Sequence, residues 1–103
     1  MVNVVKNDDF SAAKKASVAV VDFSATWCGP CRMTAPVLEK VSDKMAGKVE
    51  FYNVDVDDNN ELAGMFNITN IPCIVLLKNG VEVSRTVGFQ PEPNLTSWIE
   101  SNL

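Results

Sequence analysis

The run from Val18 to Ser24 is apolar on both faces of an extended strand and so constrains the fold most. Val18 and Val20 lie on one face, and the apolar residues of the other face are Ala19, Val21 and Phe23. Such a strand is covered on both sides of its sheet, so we expect a layered α/β fold with this strand near the centre. Asp22 is the one charged residue that interrupts the run.

The remaining elements are predicted from apolar periodicity and turn signals. Further strands are predicted at residues 2–5, 49–56, 73–77 and 81–87, and helices at residues 10–16, 31–45, 62–66 and 95–103. Gly47 should end the long helix, the segment 57–60 should cap the short one, and Asn79-Gly80 indicates a two-residue hairpin. The order predicts a mixed five-stranded sheet flanked by four helices, with parallel crossovers and one antiparallel hairpin.

Composition limits the number of domains and the kinds of partner. A chain of 103 residues is too short for two cores, so residues 1–103 are expected to form one domain and to be monomeric. The net charge of -4, with basic residues scattered, offers no field for nucleic acid or anionic lipid. No apolar run approaches the roughly 20 residues that span a membrane. The N-terminus lacks a secretory signal, so we expect a cytoplasmic protein, although a mature secreted form stays open.

Three cysteines and no histidine make cysteine chemistry the central question. A zinc site needs four such ligands, so no metal site is predicted within one chain, and a metal or cluster shared by two chains stays open. Cys28 and Cys31 are separated by two residues where the long helix begins, so they can close into a small ring. The first thiol faces the unsatisfied amides of the helix, which stabilise its thiolate. Gly29 permits a tight turn, and Pro30 begins the helix without needing a donor.

The string Trp27-Cys28-Gly29-Pro30-Cys31 resembles the active-site signature of the thioredoxins. The resemblance covers essentially the whole chain, and its further matches are Asp22-Phe23, Pro36, Ile71-Pro72, Asn79-Gly80 and Gly88. It implies the thioredoxin fold and the reduction of disulfides in other proteins. In that scheme Cys28 attacks the client disulfide, and Cys31 resolves the resulting mixed disulfide.

The resemblance also implies roles for the residues around the thiols. Burial would raise the pKa of Asp22, which suits a group that takes a proton from Cys31 and returns it. The alternative is an aspartate at an exposed strand edge. Trp27 would shield the thiols and line the contact surface, whereas the alternative is a core tryptophan.

A client-binding surface is implied as well. Pro72 would be cis and pack beside the disulfide. Ile71 would then expose its backbone to an extended client segment, and Gly88 would complete the surface.

Three residues depart from the family pattern. Cys73 stands where a threonine or small residue is usual, either as a buried apolar side chain or as an extra redox thiol. Asn53 stands where many members keep a lysine, which would leave Asp22 less ionised. Phe89 replaces a small residue and adds bulk beside the client groove. We therefore expect an unusual client preference.

The resemblance implies that no cofactor is bound. Electrons would come from NADPH through a separate flavoprotein, thioredoxin reductase. Possible clients are peroxiredoxin, methionine sulfoxide reductase and ribonucleotide reductase. Two alternatives remain. A disulfide oxidase or isomerase of the same fold usually carries a histidine between its cysteines, which Gly29-Pro30 argues against. A redox-independent binding module would need neither thiol.

Overall fold

Five strands form one mixed sheet in the computed structural model, which describes all of residues 1–103. The strands are β1 (Val2–Val4), β2 (Val18–Ser24), β3 (Glu50–Asp55), β4 (Cys73–Lys78) and β5 (Val81–Val87). The helices are α1 (Ser11–Lys15), α2 (Gly29–Lys44), α3 (Asn60–Met65) and α4 (Glu92–Ser101). The predicted number and order of elements are confirmed.

The strand order is β1-β3-β2-β4-β5, which places β2 in the middle of the sheet. β3 runs parallel to both β1 and β2, and β4 runs antiparallel to both β2 and β5. The β4–β5 turn is Asn79-Gly80, with φ values of 50° and 82°. Both residues are left-handed, as the tight hairpin turn requires, so the predicted hairpin is confirmed.

Helices cover both faces of the sheet. On the first face, α1 and α3 pack over an apolar layer that includes Val21, Phe23, Tyr52, Val54 and Val75. On the second face, α2 and α4 pack over Val20, Phe51, Ile74 and Leu76. The two-faced apolar pattern of β2 therefore reflects two separate core layers. The longest helix, α2, has 16 residues, and none of the helices combines the length and the hydropathy needed to cross a membrane.

Two local predictions are wrong. The segment 57–60 does not cap α3 with its side chains; Asp8 Oδ1 instead accepts a hydrogen bond from the Leu62 amide at 3.1 Å. The Asn59 side chain instead bonds to backbone atoms: its Oδ1 accepts from the Asp8 amide, and its Nδ2 donates to the Val5 carbonyl oxygen. At the C-terminus, α4 ends at Ser101, so Leu103 is exposed and does not extend the apolar stripe of Leu95 and Ile99.

Candidate active site

The Cys28–Cys31 disulfide lies at the start of α2, directly beyond the C-terminal end of the central strand. Cys28 is the N-cap residue, and its Cα lies 5.2 Å from that of Cys31. Gly29 and Pro30, both exposed, form the first turn between them. Because proline has no amide hydrogen, the turn loses no hydrogen bond there. Thus the two sulfurs meet where a buried strand passes into a helix.

The helix start also supplies a hydrogen-bond donor to the first sulfur. The Cys31 amide nitrogen lies 3.2 Å from Cys28 Sγ and donates to it. Unsatisfied amides and the helix dipole both favour negative charge at this position. The same donors would favour negative charge on Cys28 Sγ in the reduced protein, and none of them is a histidine.

A small apolar cluster surrounds the sulfurs. Ala25, Cys28 and Cys31 are buried together, with Val56 and Ile71 packed against them. Cys28 Sγ lies 3.9 Å from the Ile71 carbonyl oxygen. The Cys28–Cys31 disulfide therefore packs against the loop that precedes β4.

The loop residues of the implied client surface also come together. The Ile71–Pro72 peptide bond is cis, as the resemblance implies. The Gly88 amide donates to the Pro72 carbonyl oxygen at 2.8 Å, which joins the end of β5 to the loop before β4. Gly88 has a φ of 94°, a conformation that suits glycine. Phe89 follows it and is 36% exposed.

Trp27 lies on the surface beside the disulfide. Its side chain is 67% exposed, so the alternative of a core tryptophan is wrong. Its indole Nε1 donates to Asp57 Oδ2 at 2.8 Å. Asp55 Oδ1 in turn accepts from the Asp57 amide at 2.8 Å and so holds that loop. Sequence reasoning missed this use of Asp57, because the two partners are 30 residues apart and no local motif links them.

Asp22 lies beneath the site on β2, on the face that α2 covers. It is 1% exposed, so the alternative of an exposed edge aspartate is wrong. Its Oδ1 has no hydrogen-bond partner, and Asn53 Nδ2 donates to Oδ2 at 3.3 Å. Burial raises the pKa of Asp22 to about 6, and the Asn53 hydrogen bond opposes that shift. Around neutral pH this carboxyl can therefore both accept and release a proton.

The third thiol, Cys73, is separate from the pair. It is free and 1% exposed, and it belongs to the core layer beneath α1 and α3. Burial raises the pKa of the Cys73 thiol, although Arg85 opposes the shift. A buried neutral thiol of this kind is a poor nucleophile.

The cavities of the molecule do not resemble a small-substrate site. The largest, about 620 Å³, lies between β1 and α1 and contains neither Cys28 nor Cys31. A shallow cleft of about 220 Å³ includes Cys31, Arg32 and Asn53 in its walls. No cluster of three or more histidine, cysteine or acidic side chains could hold a metal ion. The sulfur pair therefore lies outside the largest cavity and next to a shallow surface cleft.

Comparisons with known proteins agree with this geometry. A family model described as Thioredoxin matches residues 1–101. The chain is 40% identical to a thioredoxin of Staphylococcus epidermidis over 99 residues, which are 96% of this chain and 95% of that protein. A thioredoxin of Staphylococcus aureus matches with the same identity and coverage. The crystal structure of chloroplastic thioredoxin z superimposes with a TM-score of 0.83 at 32% identity, over 97% of this chain and 92% of that one.

Proposed function

The chain belongs to the thioredoxin family, and on that premise we propose a role for each residue of its redox site. Members are protein-disulfide oxidoreductases that exchange a dithiol for a disulfide in client proteins. The overall exchange converts the reduced pair and a client disulfide into the Cys28–Cys31 disulfide and a client dithiol. Two electrons and two protons pass to the client.

Cys28 is the attacking nucleophile. Its thiolate attacks one sulfur of the client disulfide, so a bond between Cys28 Sγ and that sulfur forms while the client S–S bond breaks. The other client sulfur leaves as a thiolate and takes up a proton. The Cys31 amide that donates to Cys28 Sγ supports this role, because it stabilises the attacking thiolate. Gly29 and Pro30 keep the turn between the sulfurs short.

Cys31 resolves the mixed disulfide with help from Asp22. The Cys31 thiol gives its proton to the Asp22 carboxylate, and the new thiolate attacks Cys28 Sγ. The intramolecular disulfide forms, and the second client sulfur leaves and is protonated. The burial of Asp22 supports this role, because a carboxyl with a pKa of about 6 can accept the proton and return it near neutral pH.

The surface around the sulfurs binds the client. Trp27 and Phe89 provide exposed aromatic side chains. The bond from the Gly88 amide to the Pro72 carbonyl oxygen joins the segment that carries Phe89 to the Ile71–Pro72 loop. An extended client segment could pair with the Ile71 backbone, as in strand addition. The bulk of Phe89 would favour clients with a small or flat residue next to their disulfide.

Family membership supports a proposal for the electron source and for the kind of client. The family works with thioredoxin reductase and with proteins that carry disulfides, and it needs no bound cofactor. We propose that NADPH and a flavoprotein reductase return the pair to the dithiol form. Peroxiredoxin, methionine sulfoxide reductase and ribonucleotide reductase are the candidate clients. A cytoplasmic monomer of one domain, residues 1–103, would fit this reducing role.

The observation that carries the proposal is the Cys28–Cys31 pair at the helix start, with its amide donor. Cys31→Ser should trap the mixed disulfide, because no thiol is left to resolve it. Incubation with a disulfide-bonded peptide of known mass, followed by intact-protein mass spectrometry, should show a stable adduct of one peptide chain.

Two matched variants give the control for this experiment. Cys28→Ser should form little adduct, because it removes the sulfur that lies at the N-cap position and accepts a hydrogen bond from the Cys31 amide. Cys73→Ser should reduce the peptide as the unchanged protein does. Equal adducts from the Cys28 and Cys31 variants would contradict the assignment of roles.

A further inference from the structure

Thr34 is a buried polar residue of α2 that the proposed mechanism does not use. Its side chain is fully buried, and its Oγ1 donates to the Pro30 carbonyl oxygen at 2.9 Å. The two residues are four positions apart, so the hydroxyl spans one turn of the helix. A buried hydroxyl without a partner would cost free energy, and this bond removes that cost. Thr34 is thereby bonded to the first turn of α2, which carries the sulfur pair.

The Pro30 carbonyl belongs to the same peptide group as the Cys31 amide. That amide donates to Cys28 Sγ, with 3.2 Å between nitrogen and sulfur. One peptide group therefore accepts a hydrogen bond from Thr34 at its oxygen and donates a hydrogen bond to the sulfur at its nitrogen. Hydrogen bonds arranged in series polarise one another, which strengthens each of them. The Thr34 hydroxyl therefore strengthens the amide donor that faces Cys28 Sγ.

The backbone of α2 lacks one hydrogen bond directly after this turn. Pro36 lies inside the helix and has no amide hydrogen, so the Arg32 carbonyl oxygen receives no donor from the residue four positions later. The first turn is therefore joined to the rest of α2 by fewer backbone bonds than in a regular helix. The Thr34 hydroxyl adds a bond across the same stretch. It thus helps to hold the Cys31 amide in line with Cys28 Sγ.

No charged group takes part in this series of hydrogen bonds. The charged and titratable groups on the segments next to Cys28 are Asp22, Cys31, Arg32, Asp55, Asp57, Asp58 and Cys73. The one hydrogen bond of the Thr34 side chain goes to the Pro30 carbonyl oxygen. A substitution of Thr34 therefore changes the donor to Cys28 Sγ and keeps every one of these groups.

We propose that Thr34 is a positioning residue whose hydroxyl, acting through the Pro30–Cys31 peptide group, stabilises the thiolate of reduced Cys28. This inference rests on the role of attacking nucleophile proposed above for Cys28. Without the hydroxyl, a smaller fraction of Cys28 is thiolate at a given pH, and its attack on a disulfide is slower below the titration midpoint.

The test measures how readily reduced Cys28 ionises. Thr34→Val removes the hydroxyl and keeps the shape of the side chain, whereas Thr34→Ser keeps the hydroxyl. The pH dependence of alkylation by iodoacetamide gives the titration midpoint, with the Cys73→Ser change in every protein and peptide mass spectrometry to assign the modified sulfur. Thr34→Val should raise the midpoint by about 0.3 pH unit, a ~2-fold loss of thiolate below it, because bonds in series alter one another by roughly 10–30%. Thr34→Ser should keep the midpoint of the unchanged residue.

Ser42→Ala is the matched control. Ser42 is also buried on α2, and its Oγ donates to the Glu39 carbonyl oxygen at 2.7 Å, so the same kind of bond is lost in the other half of the helix. This change should lower the free energy of unfolding without moving the Cys28 midpoint. The inference is wrong if Thr34→Val leaves the midpoint in place, or if Ser42→Ala or Thr34→Ser raises it as much as Thr34→Val does.

The position of the alkylated sulfur separates this inference from the proposed function. Alkylation that falls mainly on Cys31 below neutral pH would overturn the role of Cys28 and this inference with it. Alkylation of Cys28 with equal midpoints in Thr34→Val and the unchanged residue would overturn the inference about Thr34 alone. Thr34→Ala also removes the hydroxyl and replaces the valine variant if that variant does not fold.

Discussion

At the scale of single residues, Asp22 places a cost on the folded state that depends on pH. Its pKa is about 6 in the folded protein, against 3.8 for an ordinary aspartate, so the folded state binds its proton more tightly. Stability is then highest below the unfolded pKa and falls as pH rises from about 4 through 6. The shift corresponds to ~3 kcal/mol above that window.

Asp22→Asn should remove the pH-dependent cost. The free energy of unfolding of the variant, relative to that of the unchanged protein, should increase by ~3 kcal/mol from pH 4 to pH 8. The reason is that the asparagine amide does not ionise, whereas the Asp22 carboxyl does. Urea unfolding of the oxidised proteins at both pH values measures this gain. Asp58→Asn, at an exposed aspartate, is the control and should show a much smaller change. A stability difference that is the same at both pH values would contradict the pKa given for Asp22.

At the scale of elements, the β4–β5 turn joins the sheet to α1. Gly80 has a φ of 82°, and a Cβ built on it would lie 3.1 Å from the Lys14 carbonyl oxygen. The turn backbone also bonds to the chain after α1, because the Asn79 amide donates to the Ser17 carbonyl at 3.0 Å. Gly80 therefore suits this position for two reasons: its φ is positive, and the Lys14 backbone lies close to where a side chain would begin.

Gly80→Ala should therefore destabilise the protein more than Gly47→Ala. Gly47 has a similar φ of 87°, but a Cβ there would meet nothing within 4 Å. Left-handed backbone costs alanine ~1 kcal/mol at either position, and the contact with Lys14 should bring the cost at Gly80 to ~2 kcal/mol or more. Thermal or urea unfolding of the two variants compares them. Equal losses of stability in the two variants would show that the contact between residue 80 and the Lys14 carbonyl oxygen adds no cost.

The elements also show what could be predicted from the sequence. The two-faced pattern of β2 and the Asn79-Gly80 turn are local signals, and the structure agrees with each. The apolar spacing of α2 is only partly informative, because Met33 is exposed while Leu38 and Val41 are buried. The cap of α3 by Asp8 and the bond from Trp27 to Asp57 join residues far apart in sequence, so no spacing rule could indicate them. The signature at Cys28 and Cys31 identified the redox pair because its chemistry depends on one short segment.

At the scale of the whole molecule, the fold brings a reactive edge to one end of the central strand. The start of α2, the loop before β4 and the end of β5 meet there around Cys28. Beneath this edge, Asp22 is buried on β2 and contacts the half-buried Asn53. In the proposed mechanism, sulfur exchange takes place at this edge, and the proton exchange between Cys31 and Asp22 takes place beneath it.

The reduction potential of the Cys28–Cys31 pair distinguishes a disulfide reductase from a disulfide isomerase. The protein is equilibrated against graded thiol–disulfide buffers, and free thiols are counted at each step, with Cys73→Ser used so that only the pair is counted. We expect one two-electron transition at a potential more negative than that of glutathione, as a reductase requires. A midpoint as oxidising as about −180 mV, typical of disulfide isomerases, would contradict it, and so would the absence of any two-electron transition.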